Sequence, residues 1–548
     1  MRIYLRHSLP AVFGLSGLAP GWVASSAQTT APYTPTTAYH ASALCYACHD
    51  SLKDSKGEDA SIGSEWRASI MANASRDPYW LASLRRETLD HPESSTEIQN
   101  ECSNCHMPVQ RLRDKSQGHD TDVFSYLPFP KAYNESSAPA DGVSCAVCHQ
   151  IQPTGLGTTE TSNGNFPIAP LEDHERAVYG PFAASSDQAS QTHVATTGYG
   201  IRQSAHIDEA GLCATCHTLT TVARDRDGKE IGRLPEQMVF AEWSHSDYRN
   251  RETCQQCHMP RVGGSVPLAS IMSSPREGVH RHTFTGANFL MESMLEAHRD
   301  EMGVIADASD LSKAATAAKS MLQSRSARLS LISLQLTKTP LAFSVRVENL
   351  TGHKFPTSFP SRRAWLHVLV TSSDGSLVFE SGKMAPDGSI VGNPNDMNPD
   401  QFAPHYLSIT KPDQVQIFES ILGDANAHVT TGLLSAVRYL KDNRILPTGF
   451  EKESAPAEVA VHGKAAVDPN FVGGSSTTRY MIGTKAAKGP FQIVAELIYQ
   501  PIGYRWAHNF DAYKVSEPER FVSYYNEAAS NSAFVLARVV SDSHLSHK

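Results

Sequence analysis

All ten cysteines of this chain belong to five copies of one five-residue pattern, and none is left over for a disulfide. The copies are Cys45-Tyr-Ala-Cys48-His49, Cys102-Ser-Asn-Cys105-His106, Cys145-Ala-Val-Cys148-His149, Cys213-Ala-Thr-Cys216-His217 and Cys254-Gln-Gln-Cys257-His258. Cys-x-x-Cys-His is the attachment pattern of c-type haem. Two thiols three positions apart lie on one helical turn and can form thioethers with the two vinyl groups of one porphyrin. The adjacent histidine then reaches the iron as its proximal ligand. A lone Cys-x-x-Cys would also suit a redox dithiol or half of a zinc site. Five repeats, each followed by His and together using every cysteine, point instead to five covalently attached haem c groups with His49, His106, His149, His217 and His258 on the irons.

Haem c is joined to its chain outside the cytoplasm, so the N-terminus must supply an export route. It begins with Arg2 and Arg6, continues in a moderately apolar run from Ser8 to Val23, and reaches the small residues Ala24, Ser25, Ser26 and Ala27. Residues 1–27 therefore read as a secretory signal peptide. The run is shorter than a bilayer span and is broken by Pro10, Gly14, Gly17 and Pro20, which argues against an anchor. No cysteine stands at the cleavage site to carry a lipid. The expected location is periplasmic or secreted, with no membrane span in the mature chain. At 548 residues with 40% hydrophobic and 19% charged residues, the composition is that of a globular chain of several domains. The net charge of -9 repels polyphosphate, so nucleic acid is not an expected partner.

Residues 28–40 form a Thr/Pro/Ala-rich linker, and residues 41–329 carry every motif. Helices are expected at Ser64–Ser75 and at Tyr79–Leu89, the latter started by Asp77 as cap with Pro78 in the first turn. Residues 109–141 and 151–200 read as long loops that wrap haems. Asn288–Met302 and Asp310–Arg328 read as helices closing the region. From residue 330 to 548 the texture becomes β-rich: Leu341–Leu350, Arg363–Thr371, Leu377–Ser381, Gln414–Leu422, Phe491–Gln500 and Ala533–Val540 are strand-like, with turns such as Ser373-Asp374-Gly375 between them. A helix is expected at Leu433–Lys441. The fold class is thus multidomain: a loop-rich, mainly α multihaem cytochrome region followed by a β-sandwich-like domain without cofactor.

Several phrases resemble the bacterial multihaem cytochromes of the cytochrome c-552/c-554 class. They are Gly142-Val-Ser-Cys145-Ala-Val-Cys148-His149-Gln150-Ile151, Tyr179-Gly-Pro-Phe182, Leu212-Cys-Ala-Thr-Cys-His217-Thr218-Leu219, Cys254-Gln-Gln-Cys-His258-Met259-Pro260 and Asn349-Leu-Thr-Gly-His353-Lys-Phe-Pro356-Thr357. The resemblance covers about residues 40–380. It implies closely packed haems, mostly with two axial ligands, conducting electrons in the periplasm or outside the cell. It does not imply a substrate.

The sixth ligands must come from the other histidines or the methionines. His206 stands seven residues before Cys213, a placement similar to the family's distal histidines, with a surface loop as the alternative. His282 follows the last motif closely, with His280 as its competitor. His353 lies in a loop bounded by Gly352 and Pro356 and is either a ligand or a packing residue. In Trp66-Arg-Ala-Ser69-Ile-Met71, relatives often show Trp-x-x-Ser-x-His, so Met71 stands where a ligand histidine is expected; a core methionine fits equally well. His40, His91, His119, His174, His193 and His245 are candidates that spacing does not rank. Arg362 and Arg363 suit haem propionates or, more simply, a solvated basic pair.

The resulting expectation is an exported pentahaem electron carrier whose β region docks a partner or shields the haems. Its partners would be redox proteins, either other cytochromes or a membrane quinol-linked complex. One alternative is a reductase of nitrite, hydroxylamine or a related small oxyanion at an open haem, although the Cys-x-x-Cys-Lys usual in pentahaem nitrite reductases is absent. Another is a structural subunit of an extracellular haem conduit.

Overall fold

The computed structural model describes residues 39–129, 131, 134–169, 176–335, 340–484 and 487–541. The expected signal peptide, most of the linker and the candidate His174 lie outside the described residues.

Each motif occupies a short helix or the end of a longer one, which puts its two sulfurs on one face. The helices are Ala43–His49, Ser95–His106, Cys145–Cys148 with His149 as C-cap, Ala210–His217 and Cys254–His258. Thr253 and Gln256 form a capping box at the start of the last one.

The helix Pro78–Asp90 starts as its sequence requires, with the Asp77 carboxylate accepting from the Tyr79 and Trp80 amides at 2.8 and 3.1 Å. It is fastened to the second half of the chain. Arg85 donates to both carboxylate oxygens of Glu517 at 2.9 Å, and Glu87 accepts the Leu433 amide at 2.8 Å. The expected helix Ser64–Ser75 is shorter, Ile62–Arg67, and continues as turns. The expected loops are partly ordered elements: residues 109–141 begin within the helix Pro108–Ser116 and include the short 3-10 helices Val123–Tyr126 and Glu135–Ala140, and residues 151–200 include the helix Asp187–Thr197. A hairpin, Leu219–Arg224 with Glu230–Gln237, separates the fourth and fifth motifs.

Two five-stranded sheets dominate the chain from residue 327 onward. In one, Arg363–Thr371 pairs antiparallel with Gln492–Gln500, placing Trp365 opposite Ile498. In the other, Leu341–Asn349 lies between Ala327–Gln335 and Ser475–Ile482, antiparallel to both. Phe343, Val345 and Val347 of the second sheet share a buried core with Leu366, Val368, Val370, Ala495 and Leu497 of the first.

The helices Phe289–Ala297 and Ala308–Arg325 do more than close the motif region. Phe289, Leu290, Leu295, Leu311 and Leu322 enter the same core as the sheets, so the two halves share one interior across the expected boundary at residue 329. The expected helix Leu433–Lys441 is a turn followed by the strand Arg438–Asp442, which pairs with Ser420–Gly423. Tertiary partners decide this: the Leu433 and Leu434 amides go to Glu87, and the Tyr439 hydroxyl donates to the Pro235 carbonyl at 2.7 Å. Gln414–Leu422 is likewise broken into Ile417–Phe418 and Ser420–Gly423, which pair with different strands. The helix Ser516–Ala528 is absent from the sequence expectations and buries Phe521, Tyr524 and Tyr525. No helix among the described residues is long and apolar enough to cross a membrane.

The approach to the third motif tolerates little change. Gly142 has φ +57°, and a Cβ there would meet the Met71 and Ala72 carbonyl oxygens at 2.5 Å. The next residue, Val143, is fixed on both sides: its amide donates to the Met71 carbonyl at 2.9 Å and its carbonyl accepts from the Trp66 indole at 3.0 Å. Gly142→Ala should therefore destabilise the chain by about 2 kcal/mol or more, read as a lower urea midpoint. A midpoint equal to wild type would show that this segment relaxes freely.

Candidate haem-binding centre

The five motifs converge. All ten cysteines and all five motif histidines line one internal cavity of about 1120 Å³. None of the ten cysteines is in a disulfide. Sulfurs of different motifs lie within hydrogen-bonding reach of one another: Cys45 with Cys145, Cys105 with Cys216, and Cys213 with Cys254. Cys148 is close enough to act electrostatically on Cys216 and Cys213. The fourth motif thus neighbours the second, third and fifth, and the first motif attaches through the third.

Burial pushes the Cys148 thiol up to about 12, and no group of three or more His, Cys, Asp or Glu side chains able to hold a metal ion occurs among the described residues. Zinc needs thiolates in such a group. A porphyrin brings four nitrogen donors of its own and asks the chain only for thioether anchors and axial ligands, which is what these residues offer.

The histidines are prepared for ligation. Nδ1 of His49 bonds to the Leu268 carbonyl at 2.6 Å, that of His149 to Tyr179 at 2.6 Å, and that of His258 to Thr285 at 2.7 Å. His106 bonds to the Ala74 carbonyl at 3.2 Å, and its ring stacks on Trp80 at 4.5 Å. A backbone carbonyl on Nδ1 fixes the tautomer and leaves Nε2 for a metal. Burial lowers His106 and His217 to about 4 and holds them neutral, as ligation requires.

Two of these imidazoles face a second one. His149 and His282 have ring centres 6.3 Å apart with planes at 19°, and His258 and His353 are 6.4 Å apart at 14°. Two nitrogens each about 2 Å from one metal ion, with each ring centre about 1 Å behind its nitrogen, put the centres about 6 Å apart. Ring stacking alone also falls in this range. The distal members favour ligation, because their Nδ1 atoms too are taken by carbonyls, His282 by His280 at 3.0 Å and His353 by Lys354 at 2.9 Å. Burial lowers His282 to about 3 and His353 to about 4.

The other candidates separate. His206 is not placed as a ligand: its Nδ1 bonds to the Ser204 hydroxyl at 2.7 Å, its Nε2 to the Ile151 carbonyl at 2.8 Å, and it stays off the cavity wall. His193 is on the wall instead, with Nδ1 on the Tyr199 carbonyl at 2.8 Å and close enough to His49 to act on it electrostatically. Nothing in the sequence around His193 marks it. His280 reaches the wall but has Nδ1 on the Met259 carbonyl and Nε2 facing Arg261. His40 binds Glu135, His91 lies beside Glu87, and His245 bonds to the Ala241 carbonyl, all away from the cavity wall. His119 is exposed. Met71 lines the cavity. No imidazole faces His106 or His217 in a ring pair among the described residues.

The two arginines also part. Arg363 points into the β core, where its guanidinium meets Asp396 at 2.7 and 3.0 Å, and so does not serve a propionate. Arg362 lines the cavity and acts electrostatically on His217, His258 and His353.

No protein-family model matches the chain, and no curated protein matches it. Among solved structures, it is similar to the crystal structure of a penta-heme cytochrome c552 from Thermochromatium tepidum, at 14% identity and TM-score 0.48, over 92% of this chain and 98% of that one.

The different placements of His282 and His206 make a paired test. His282→Ala should turn one iron of the haem-loaded protein high-spin, while His206→Ala should leave the ferric spectrum unchanged. The reverse result would exchange their roles.

Proposed function

We propose that this chain is an exported c-type cytochrome that carries five covalently attached haems and passes electrons among them. The observation that supports this most is the convergence of five Cys-x-x-Cys-His motifs on one cavity, with cysteines of neighbouring motifs near enough to act on one another.

When bound, haem supplies an iron that cycles between ferric and ferrous. The chain's residues do the rest. The cysteines fix spacing and order: the first, third, fourth and fifth motifs form a line, with the second branching from the fourth. The five motif imidazoles would each hold an iron from one side, those of His49, His106, His149 and His258 with Nδ1 on a backbone carbonyl. His282 and His353, whose rings face His149 and His258, would close the other side of two sites, and His193, on the cavity wall near His49, is offered to a third. Burial excludes water, so little reorganises when charge arrives. Met71, which lines the cavity with Met259, Met272 and Met321, is offered to one of the two remaining sites; a thioether there would raise that iron's potential. Arg362 serves propionates between the fourth and fifth motifs.

The β region is read as a sandwich that contributes His353 to the fifth site and so is locked onto the haems. The partners are redox proteins in the periplasm or outside the cell. A second reading is reduction of a small oxyanion at an open iron, to which His106 and His217 correspond because no imidazole faces them among the described residues.

Intact mass should exceed that of the chain by five haems. At least three irons should be low-spin and six-coordinate, and carbon monoxide should bind no more than two. Free thiols in the native protein, or carbon monoxide binding at four or five irons, would overturn the proposal.

A further inference from the structure

The loop that brings His353 to the cavity ends in a set of buried charges. Glu242, on the helix Val239–Ser244 of the motif region, is fully buried. Its Oε2 accepts the Lys354 amide at 3.1 Å and the Thr357 hydroxyl. Its Oε1 lies 2.9 Å from Nη1 of Arg444, an ion pair between the two halves of the chain. Arg444 donates in turn to both oxygens of Asp442 at 2.9 and 2.8 Å, and the Lys354 ammonium meets Asp442 at 2.6 Å. Two acids and two bases thus close a neutral ring, which is the condition under which buried charges are tolerated.

The ring holds the backbone that orients the imidazole. The His353 Nδ1 proton goes to the Lys354 carbonyl, and the amide of that same Lys354 goes to Glu242. On the other side the Asn349 amide donates to the His353 carbonyl at 2.8 Å. Gly352 lies so close to the motif region that a Cβ would meet Tyr248 at 3.1 Å and Trp243 at 3.2 Å. His353 is therefore bracketed by its own domain on one side and by Glu242 on the other.

We infer that Glu242 is the positioning residue for His353, setting both the placement of that imidazole opposite His258 and the charge near the fifth-motif iron. This rests on the reading of His353 as a ligand. Glu242 is not on the cavity wall; it acts through the Lys354 amide and the Thr357 hydroxyl, and through its negative charge. The side chain of Gln at this position keeps a carbonyl oxygen to accept both bonds but loses the charge, whereas Ala loses both.

The test uses the haem-loaded full chain, read by ferric spectroscopy, carbon monoxide binding and a five-centre redox titration. Glu242→Ala should turn one iron partly high-spin and open it to carbon monoxide. Glu242→Gln should keep every iron's spin state but raise one potential, because removing a negative charge nearby favours the ferrous form. Thr357→Val, which removes a single donor, should move the same iron in the direction of Glu242→Ala but less. His353→Ala separates the two levels of the argument. If it opens an iron while Glu242→Ala and Glu242→Gln leave spectra and all potentials at wild type, the positioning role is wrong and the ligand reading stands. If His353→Ala itself changes no iron, both fall. Should Glu242→Ala fail to load haem, the milder variants decide, and unchanged spectra and potentials in both overturn the inference.

Discussion

Five Cys-x-x-Cys-His motifs, each with its two sulfurs on one helical turn and, on the proposed reading, each anchoring one cofactor, are the constraint from which the rest of the structure follows. Where the motifs lie, the side-chain clusters are small: Tyr46, Trp66 and Ala72 form one, and Leu52, Ala60, Val262, Val266 and Val279 another. The large core is elsewhere, among the sheets and the helices Phe289–Ala297 and Ala308–Arg325. Porphyrins, on the proposed reading, complete the interior of the first half, so its short helices and long connections need only present ligands at the right height. The second half is an ordinary hydrophobic core and can hold a fixed position against which those ligands are set.

Polar contacts between the halves are concentrated where ligand placement needs them. The Arg85–Glu517 bidentate pair and the Glu87 contacts with residues 433 and 434 fix one side. The Glu242–Arg444 pair fixes the loop of His353. Buried charges of this kind add little net stability against a well-packed apolar alternative, but removing one partner is costly. That asymmetry suits a loop whose value is its position.

Legibility in the sequence followed the range of the interactions. The motifs are local, so their residues could be named outright. Strands such as Leu341–Asn349 and Gln492–Gln500 could be read from their β-branched runs, and the start of Pro78–Asp90 from Asp77 and Pro78. The strand Arg438–Asp442 could not, because Glu87 and Pro235, far away in sequence, hold the preceding turn and Tyr439. For the same reason His206, with the better sequence spacing, spends one nitrogen on Ser204 and the other on the distant Ile151 carbonyl, whereas His193 reaches the cavity from a helix that carries no motif. Glu242 has no signature at all; its partners lie more than a hundred residues away in the chain.

On the proposed reading, the motifs also take different places in the line of sites. The fourth motif neighbours three others, so a disturbance there would divide the line, whereas the second motif ends a branch and can change without interrupting it. The surroundings of the second motif differ accordingly. Glu236, Glu101 and Glu87 all act on Cys102, and burial raises Glu236 to about 7. A carboxyl group that titrates near neutral pH is what the second reading, a reductive reaction at an open iron, would call for beside its site. Of the two motif histidines that no imidazole faces among the described residues, His106 has such a carboxyl near its cysteines, whereas His217 has the Arg362 guanidinium nearby.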